Sequence, residues 1–325
     1  MADTSFQQKE VVVKKSVVSI IIFILLVIIY LFVEHHEKSM IAPKSIDNFL
    51  GIDTSEVDMI VIKKLGGAVT LSRTGDTWYL MGKDVHHADM NAVGQLLSAI
   101  SGLRVGNAIS DNPANQLKFQ VDTLTGSTLE LYSGDHILSA IVIGKMADYT
   151  HTYVRLRDKH EVYLAEGMLT YLFNRPPSSW RDHTILSLNT EDVQSVEIKF
   201  AKEDYKIEKS DTLWLISKAP FAINIKADKD SVNSFIRSLC LLKADDFASA
   251  HDSTKYTFEK LSYFAKITLN DGSEQLLEIA VNNDKDSENH FLRIPEEESI
   301  FLIHKVTWQR LAKSYKELLP PEKNS

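Results

Sequence analysis

The chain has 325 residues, 44% of them hydrophobic, with 36 basic and 44 acidic side chains and a net charge of −8 at pH 7. This composition is ordinary for a globular protein and argues against wholesale disorder, and the length favours about two domains. No basic run is present, which speaks against a nucleic-acid binder.

An uncharged, strongly apolar segment, Val17–Val33, follows a short polar N-terminus. As a helix rising about 1.5 Å per residue it would span roughly 25 Å, close to the roughly 30 Å hydrocarbon core of a bilayer. Lys14–Lys15 precede the segment and Glu34–Glu37 follow it, so the positive-inside rule places the N-terminus in the cytoplasm. A cleaved signal peptide is the alternative, but the apolar run is long for one and no A-x-A-like site follows it. We therefore predict a cytoplasmic N-terminus at 1–16, a signal-anchor transmembrane helix at 17–33 and a tether at 34–55.

The rest of the sequence repeats one order of elements twice. Trp78 and Trp214 occupy matching places, and each follows an Asp-Thr turn signal within a short strand pattern. Asp89 and Asp228 each precede a helical pattern with the same apolar spacing, and we predict that each caps its helix. The apolar positions are Val93, Leu96, Leu97, Ile100 and Leu103 in the first copy and Val232, Phe235, Ile236, Leu239 and Leu242 in the second.

Four strand patterns follow the main helix in each copy, with turn signals at residues 133–135 and 270–272. Short strands joined by tight turns predict antiparallel sheets, and a short closing helix after each set makes the class α+β. We predict a first α+β repeat at 56–180, a second at 181–319 and a C-terminal tail at 320–325. The predicted strands are Ser127–Tyr132, Ile137–Ile143, Thr152–Leu156 and Glu161–Leu164, then Phe264–Leu269, Gln275–Val281, His290–Ile294 and Ser299–Leu302.

Polar clusters that resemble ligand sites are incomplete. Gly144–Lys145 is followed by Met146 and lacks the other residues of a phosphate-binding loop. His86–His87, with Asp84 and Asp89, is the densest potential metal cluster, but it lies where a strand meets a helix cap and polar residues are expected anyway. Residues 284–288 alternate like a calcium loop, yet they lack its glycine and its closing acidic residue.

Candidates for catalysis are equally sparse. Histidines are scattered, and no G-x-S-x-G elbow is present. Cys240 lies in an apolar helical pattern, which predicts a buried, unreactive thiol, and as the single cysteine it cannot form an internal disulfide. Arg155 and Arg293 occupy matching strand positions, where we expect salt bridges at a strand edge. We predict no catalytic residue, no metal site and no cofactor.

Four segments carry a resemblance to a known family: FQVD at Phe119–Asp122, TYVRL at Thr152–Leu156, EVYLA at Glu161–Ala165, and SSWRDHTILSLNTEDVQSVEI at Ser178–Ile198. In this order they resemble the domain of unknown function 4340, over nearly the whole region after the apolar segment. The first copy departs from the family pattern because no proline follows Asp122, and the FQVD-like segment is degraded in the second copy.

Proteins of this family are commonly associated with ABC-type transport systems of the gliding-motility auxiliary kind. The resemblance implies a non-catalytic accessory protein at the bacterial cytoplasmic membrane, with its repeats on the periplasmic side. It would interact with lipid through the N-terminal helix and with a membrane-protein partner such as a transporter component. Two alternatives stay open: a ligand-binding receptor that uses a groove between the repeats, and an orphan hydrolase.

Overall fold

The computed structural model of the chain describes residues 23–30, 45–218, 221–284 and 286–321. Residues 23–30 are helical with exposed side chains. The rest of the predicted anchor 17–33, the predicted segment 1–16 and residues 34–44 of the tether lie outside the described residues. Within the described part of the chain, no helix is both long enough and apolar enough to cross a membrane.

The first repeat is built on an antiparallel sheet of nine strands. Their order across the sheet is β4-β3-β2-β1-β6-β7-β8-β9-β5, so the chain forms one meander, leaves the sheet through its main helix and returns to form a second. The strands are β1 (Met59–Lys64), β2 (Gly67–Thr74), β3 (Thr77–Met81), β4 (His86–His87), β5 (Val105–Ser110), β6 (Ser127–Ser133), β7 (His136–Met146), β8 (His151–Leu156) and β9 (Val162–Glu166).

The second repeat has a nine-stranded antiparallel sheet with the corresponding order, β13-β12-β11-β10-β15-β16-β17-β18-β14. The matched order confirms the internal duplication predicted from the sequence. Its strands are β10 (Val193–Phe200), β11 (Glu203–Ser210), β12 (Leu213–Lys218), β13 (Phe221–Lys226), β14 (Asp246–Phe247), β15 (Tyr256–Leu269), β16 (Glu274–Asn282), β17 (Asn289–Arg293) and β18 (Ile300–His304).

Helices occur at corresponding places in the two repeats. The main ones are α1 (Met90–Ser101) and α4 (Lys229–Cys240), and the short closing ones are α3 (Leu169–Phe173) and α5 (Lys305–Leu311). One further helical turn, α2 (Gln116–Phe119), belongs to the first repeat. These helices and the two sheets confirm the α+β class.

The main helices bury the apolar faces that their spacing predicts. In α4 the buried set includes Phe235 and Leu239, and Asp228 accepts a hydrogen bond from the backbone N–H of Ser231 at 2.9 Å, which confirms it as the N-cap. In α1 the buried residues are Ala92, Val93, Leu96 and Ile100, while Leu97 is only half-buried. Each face joins the alternate inward residues of its strands in the core, as both periodicities require.

The chain divides into two compact units near the middle. Among the described residues, one unit comprises those up to Val85 together with Asn91–Arg175, and the other comprises His86–Met90 together with those from Pro176 onwards. Each contains one of the two main helices for most of its length, and each has its own set of buried apolar side chains.

The two repeats differ at the entry to their central strands. In the first, β6 begins at Ser127, after α2 and an irregular segment. In the second, β15 begins at Tyr256, well before the predicted start at Phe264, and it pairs along its extended length with β16 through irregular register at residues 257–263.

Candidate functional site

The FQVD segment of the first repeat packs onto two glycines. A Cβ atom built on Gly144 would collide with the carbonyl oxygen of Phe119 and would lie 2.7 Å from Cγ1 of Val121. At Gly126 a Cβ would lie 2.7 Å from the carbonyl oxygen of Gln120. These approaches are closer than a Cβ tolerates, so a side chain at either glycine would displace the segment. The motif is therefore fitted to the sheet backbone.

Gly144 therefore has a packing role. The sequence comparison with a phosphate-binding loop concerned the same residue, but here it lies within β7 and its carbonyl oxygen accepts a hydrogen bond from Thr170 Oγ1 at 3.1 Å. Its missing side chain makes room for the backbone of residues 119–121.

Arg155 joins two of the segments that carry the family resemblance. Its side chain is buried, and Nε donates to the carbonyl oxygen of Val121 at 2.9 Å. Nη1 donates to three more carbonyl oxygens, those of Leu156, Arg157 and Lys159, at 2.7–3.0 Å. The expected salt bridge at a strand edge is wrong for this arginine, because its donors are used by backbone carbonyls of the FQVD segment, of the end of β8 and of the β8–β9 turn.

Arg293 makes the expected salt bridge. Its Nη2 and Nε atoms each lie 2.7 Å from Oε2 of Glu278 on the neighbouring strand, and the guanidinium lies 4.2 Å from the ring centroid of Phe258. The difference arises from the cross-strand neighbour. Arg293 faces Glu278 in the register, whereas Arg155 faces Val142.

The polar clusters considered as metal sites have ordinary structural partners. Asp284 accepts the backbone N–H of Asp286 at 3.1 Å, and Glu288 lies 3.1 Å from Nε2 of His304. The carbonyl oxygen of His87 accepts the backbone N–H of Asp182 at 2.8 Å. Among the residues that the structure describes, no group of three or more His, Cys, Asp or Glu side chains is placed to hold a metal ion.

One trio in the first repeat resembles a catalytic triad by residue type. Asp148 and Thr150 lie in the turn between β7 and β8, and His151 is the first residue of β8. Thr150 Oγ1 donates to Asp148 at 2.8 Å, and the same carboxylate accepts the backbone N–H groups of Thr150 and His151. The backbone bond from Thr150 is the largest cause that lowers the pKa of Asp148 to about 2. Thr150 Oγ1 also lies 2.9 Å from His151 Nδ1, and the same ring nitrogen lies 3.1 Å from both oxygens of Asp148. In a Ser-His-Asp triad the nucleophile and the acid meet different nitrogens of the imidazole. Here a single nitrogen faces both groups, so the trio has the geometry of a hydrogen-bonded turn.

Cys240 is buried at the end of α4, as the apolar pattern predicted. Burial raises the pKa of its thiol to about 11. A thiol of this pKa holds little thiolate at neutral pH, and the thiolate is the reactive form.

The corresponding strands β6 and β15 each carry a charged residue paired with side chains of the opposite charge, and the sign of the central residue differs between the two repeats. In the first sheet the nearly buried carboxylate of Glu130 accepts hydrogen bonds from Lys63 at 2.9 Å, Arg157 at 2.7 Å and Tyr132 at 2.6 Å. Burial alone would raise the pKa of Glu130, but the hydrogen bonds of Lys63 and Tyr132 and the charges of Lys63 and Arg157 outweigh it and lower the pKa. In the second sheet the same position is Lys266, which lies within 3.3 Å of Glu197 and Glu274.

An exposed apolar surface lies on the first repeat, where the β7–β8 turn meets the start of α3. It consists of Met146, Tyr149, Met168 and Tyr171, whose exposed fractions are 38%, 90%, 55% and 75%. The two segments are joined by backbone hydrogen bonds, since the N–H of Gly167 donates to the carbonyl of Thr150 at 2.7 Å. We refer to these four residues as the Met–Tyr surface.

Two open cavities lie on either side of α4 in the second repeat. The first, of about 410 Å³, is lined by residues of the β11–β12 turn and of α4, including Lys209, Trp214, Lys229 and Arg237. The second, of about 530 Å³, lies between the end of α4 and α5 and includes Arg237, Lys243 and Arg310. Arg237 lines both.

Neither the Met–Tyr surface nor the cavities were predicted from the sequence. The exposed Met and Tyr side chains come from a turn and a short helix, which carry no periodic signal. The cavity cations come from a turn and a helix separated in sequence. The one available signal is a comparison of the two copies, in which Lys229 and Arg237 correspond to the uncharged Met90 and Ser98.

Fold and surfaces together define a tandem α+β repeat protein with two nine-stranded antiparallel sheets. The chain belongs to the family described as Domain of unknown function (DUF4340), whose profile matches residues 78–261, more than half of its length. This match confirms the resemblance seen in the four segments, all of which lie within the matched range. Searches among curated proteins and among solved structures gave no significant match.

Proposed function

We propose that this protein is a non-catalytic accessory subunit, anchored in the bacterial cytoplasmic membrane by residues 17–33, that presents its repeats to a membrane-protein partner on the periplasmic side. The observation that carries the proposal is the Met–Tyr surface. Tyr and Met are enriched at the centres of protein interfaces, and large apolar side chains exposed together mark interaction sites more often than chance exposure does.

The partner that fits this surface is a protein held in the same membrane. The sequence predicts a tether at 34–55, but the backbone N–H groups of Ile46 and Phe49 donate to the carbonyl oxygens of Val105 and Leu103 in the first repeat. A tether of at most residues 34–45 would reach about 40 Å when fully extended, at about 3.6 Å per residue. A repeat held that close to the bilayer meets membrane proteins at a high effective concentration, so a small apolar surface is enough for association. The family resemblance points to a component of an ABC-type transport system.

The orientation is tested by thiol labelling in intact cells. The wild-type chain is a suitable background because its single thiol, Cys240, is buried. Asp135 is a suitable position for the engineered thiol, because it lies in an exposed turn. We expect a membrane-impermeant maleimide to label Asp135→Cys in intact cells. Labelling only after lysis would contradict the periplasmic orientation.

The interface is tested by photocrosslinking in the native membrane. A photoreactive phenylalanine derivative is placed at Tyr149 or Tyr171, and at Leu65 as a control, which is 85% exposed in the β1–β2 turn. We expect the first two positions to crosslink one integral membrane protein and the control to give none. Tyr149→Glu with Tyr171→Glu should abolish co-purification of that same protein without changing the unfolding temperature.

Equal crosslinking from Leu65, crosslinks to soluble proteins only, or unchanged co-purification of the double variant would each contradict the proposed interface.

A further inference from the structure

The first of the two cavities, that between the β11–β12 turn and α4, rests on a framework that both repeats share. Lys209 faces Trp214 across β11 and β12, with its ammonium 5.9 Å from the indole centroid, and it donates to the carbonyl oxygen of Glu191 at 3.4 Å. In the first repeat Arg73 faces Trp78 at the same 5.9 Å and donates to the carbonyl of Ser55 at 2.7 Å. The spacing in sequence between the copies is the same for all three pairs, so the cation, the indole and the supporting turn belong to the common fold.

The helix that covers this framework has diverged. On α4 the side chains that line the cavity include Lys229, Asn233 and Arg237, one helical turn apart on one face. The corresponding residues of α1 are Met90, Gly94 and Ser98. Each change in the second repeat adds hydrogen-bond donors, and two of the three add a positive charge. Packing of the helix on the sheet does not require hydrogen-bond donors at these three outward positions. Several donors on one helix face, two of them positively charged, are what binding of an anion requires.

Asn233 is oriented by the framework. Trp214 Nε1 donates to Asn233 Oδ1 at 3.1 Å. Since the oxygen of the amide is used by the indole, the amide nitrogen is the end that remains to donate elsewhere. The buried indole thus fixes which end of Asn233 can meet a ligand.

The lining also contains acceptors. Glu191 and Asp211 lie at the turns that border the cavity, together with the hydroxyl groups of Thr190 and Thr212. Carboxylates cannot donate a hydrogen bond, so they bind groups that donate, such as hydroxyls. Three cations against two carboxylates leave the site positive on a chain whose net charge is −8. The lining therefore complements a ligand with an anionic end and a hydroxylated end.

We infer that this cavity is a binding site for a phosphorylated polyol. Lys209, Lys229 and Arg237 hold the phosphate, Arg237 by its paired N–H groups, and Glu191 and Asp211 accept hydrogen bonds from the hydroxyls. Its volume is within the range of small-molecule sites. The same chemistry occurs in soluble sugar phosphates and in phosphorylated inositol lipid headgroups.

The test is calorimetric titration of the full-length chain with glucose 6-phosphate, with glucose and inorganic phosphate as reference ligands. We expect saturable binding of glucose 6-phosphate at micromolar to millimolar concentrations, tighter than either reference. Lys229→Gln with Arg237→Gln should weaken it at least about tenfold, the usual effect of losing a charge-assisted hydrogen bond. Both side chains are exposed, so the unfolding temperature should stay unchanged.

Two control variants localise the effect. Lys199→Gln with Lys305→Gln removes the same charge from exposed positions outside either cavity lining and should leave the affinity within about twofold, since salt screens exposed charges that lie farther from the ligand. Arg310→Gln alters only the neighbouring cavity and should also leave it unchanged.

A second titration, with vesicles that contain a phosphorylated inositol lipid, distinguishes the two sources. Binding to these vesicles and not to glucose 6-phosphate, with the same loss in the Lys229/Arg237 variant, supports the site and assigns it a lipid headgroup. Failure of both probes to bind, binding that survives the double variant, or inorganic phosphate binding as tightly as glucose 6-phosphate would each overturn the inference. None of these results depends on the Met–Tyr surface.

Discussion

The two repeats have an arginine at the same strand position, Arg155 in the first and Arg293 in the second, but the two side chains have different partners. Arg155 is buried and gives its hydrogen bonds to four carbonyl oxygens, one of them in the FQVD segment. Arg293 is about one-third exposed and pairs with Glu278. In the first repeat the FQVD segment, which precedes β6, packs against Gly126 and Gly144, and Arg155 holds it by a hydrogen bond to the carbonyl oxygen of Val121. In the second the glycine positions are Ser262 and Ala280, and the same stretch of chain extends β15.

This difference indicates where a duplicated fold is free to change. The order of the strands, the main helix and the Trp–cation pair are common to both copies. The buried faces of these elements make up the core of each repeat, so changes there would disturb the fold. The entry to the central strand and the outer face of the main helix have changed, because neither determines the sheet. The changed regions are therefore where the two copies can acquire different roles.

The largest expected loss of stability comes from removing the tryptophans that both repeats share. Trp78 and Trp214 are 4% and 6% exposed, so Trp78→Ala and Trp214→Ala should each lower the free energy of unfolding of its own repeat by about 3–5 kcal/mol. Urea unfolding gives the magnitude, and hydrogen exchange shows which repeat opens. Leu65→Ala, in an exposed turn, is the control and should cost almost nothing. A loss below about 1 kcal/mol for either tryptophan would mean that the copies do not share this core position.

The next effect separates the two arginines. Arg155→Met leaves buried carbonyl oxygens without charge-assisted donors that are worth about 1.5–3 kcal/mol, so we expect a loss of about 2–3 kcal/mol in unfolding free energy. Arg293→Met removes a partly exposed ion pair and should cost about 1 kcal/mol or less. Equal losses in urea unfolding would show that the two environments are energetically the same.

The glycine fit of the FQVD segment should give a smaller loss. Gly144→Ala forces a Cβ against the carbonyl of Phe119 and should cost about 1–3 kcal/mol, the usual range for overpacking. Gly67→Ala is the matched control, because no atom lies within 4 Å of its added Cβ. It should be neutral or slightly stabilising. If both glycine variants unfold at the same urea concentration, the segment does not pack as described.

Because Glu130 and Lys266 carry opposite charges at corresponding positions, the stabilities of the two repeats should depend on pH in different ranges. The folded pKa of Glu130 is lowered, so its contribution to stability is present above about pH 4.5 and is lost as the pH falls through the folded value. Hydrogen bonding to Glu197, then to Glu274, raises the pKa of Lys266, so its contribution is present below about pH 10.5 and is lost as the pH rises through the folded value. Glu130→Gln should flatten the acid decline in unfolding temperature, and Lys266→Gln the alkaline decline. An unchanged pH profile in either variant would contradict its assignment.

Much of the fold could be predicted because it depends on local patterns. Turn signals such as Gly134 and Gly272 occur at positive φ, and alternating apolar residues place the strands. The early start of β15 could not be predicted, because it depends on whether residues 256–262 pair with β16 or fold back onto the sheet. In the second repeat Ser262 and Ala280 replace the two glycines that receive the folded segment in the first, and the chain pairs with β16 instead. The partners of Arg155 and Arg293 depend on sheet register, which the arginines themselves do not encode.

The sheet order also has a consequence for how each repeat folds. Consecutive strands of each meander pair close in sequence, but β1 pairs with β6 and β10 with β15 across residues 65–126 and 201–255. The edge strands β5 and β14 likewise pair with β9 and β18 across residues 111–161 and 248–299. Closing such long loops carries an entropic cost that must be met before the pairing stabilises the chain, which slows folding. Until then each half-sheet has an unpaired apolar edge that can join a neighbouring chain. Folding of a nascent repeat is therefore limited by these long-range pairings. Because the pair β1–β6 or β10–β15 joins the two halves of each sheet, aggregation during synthesis should depend on the sequences of these four strands more than on those of β3, β4, β12 and β13.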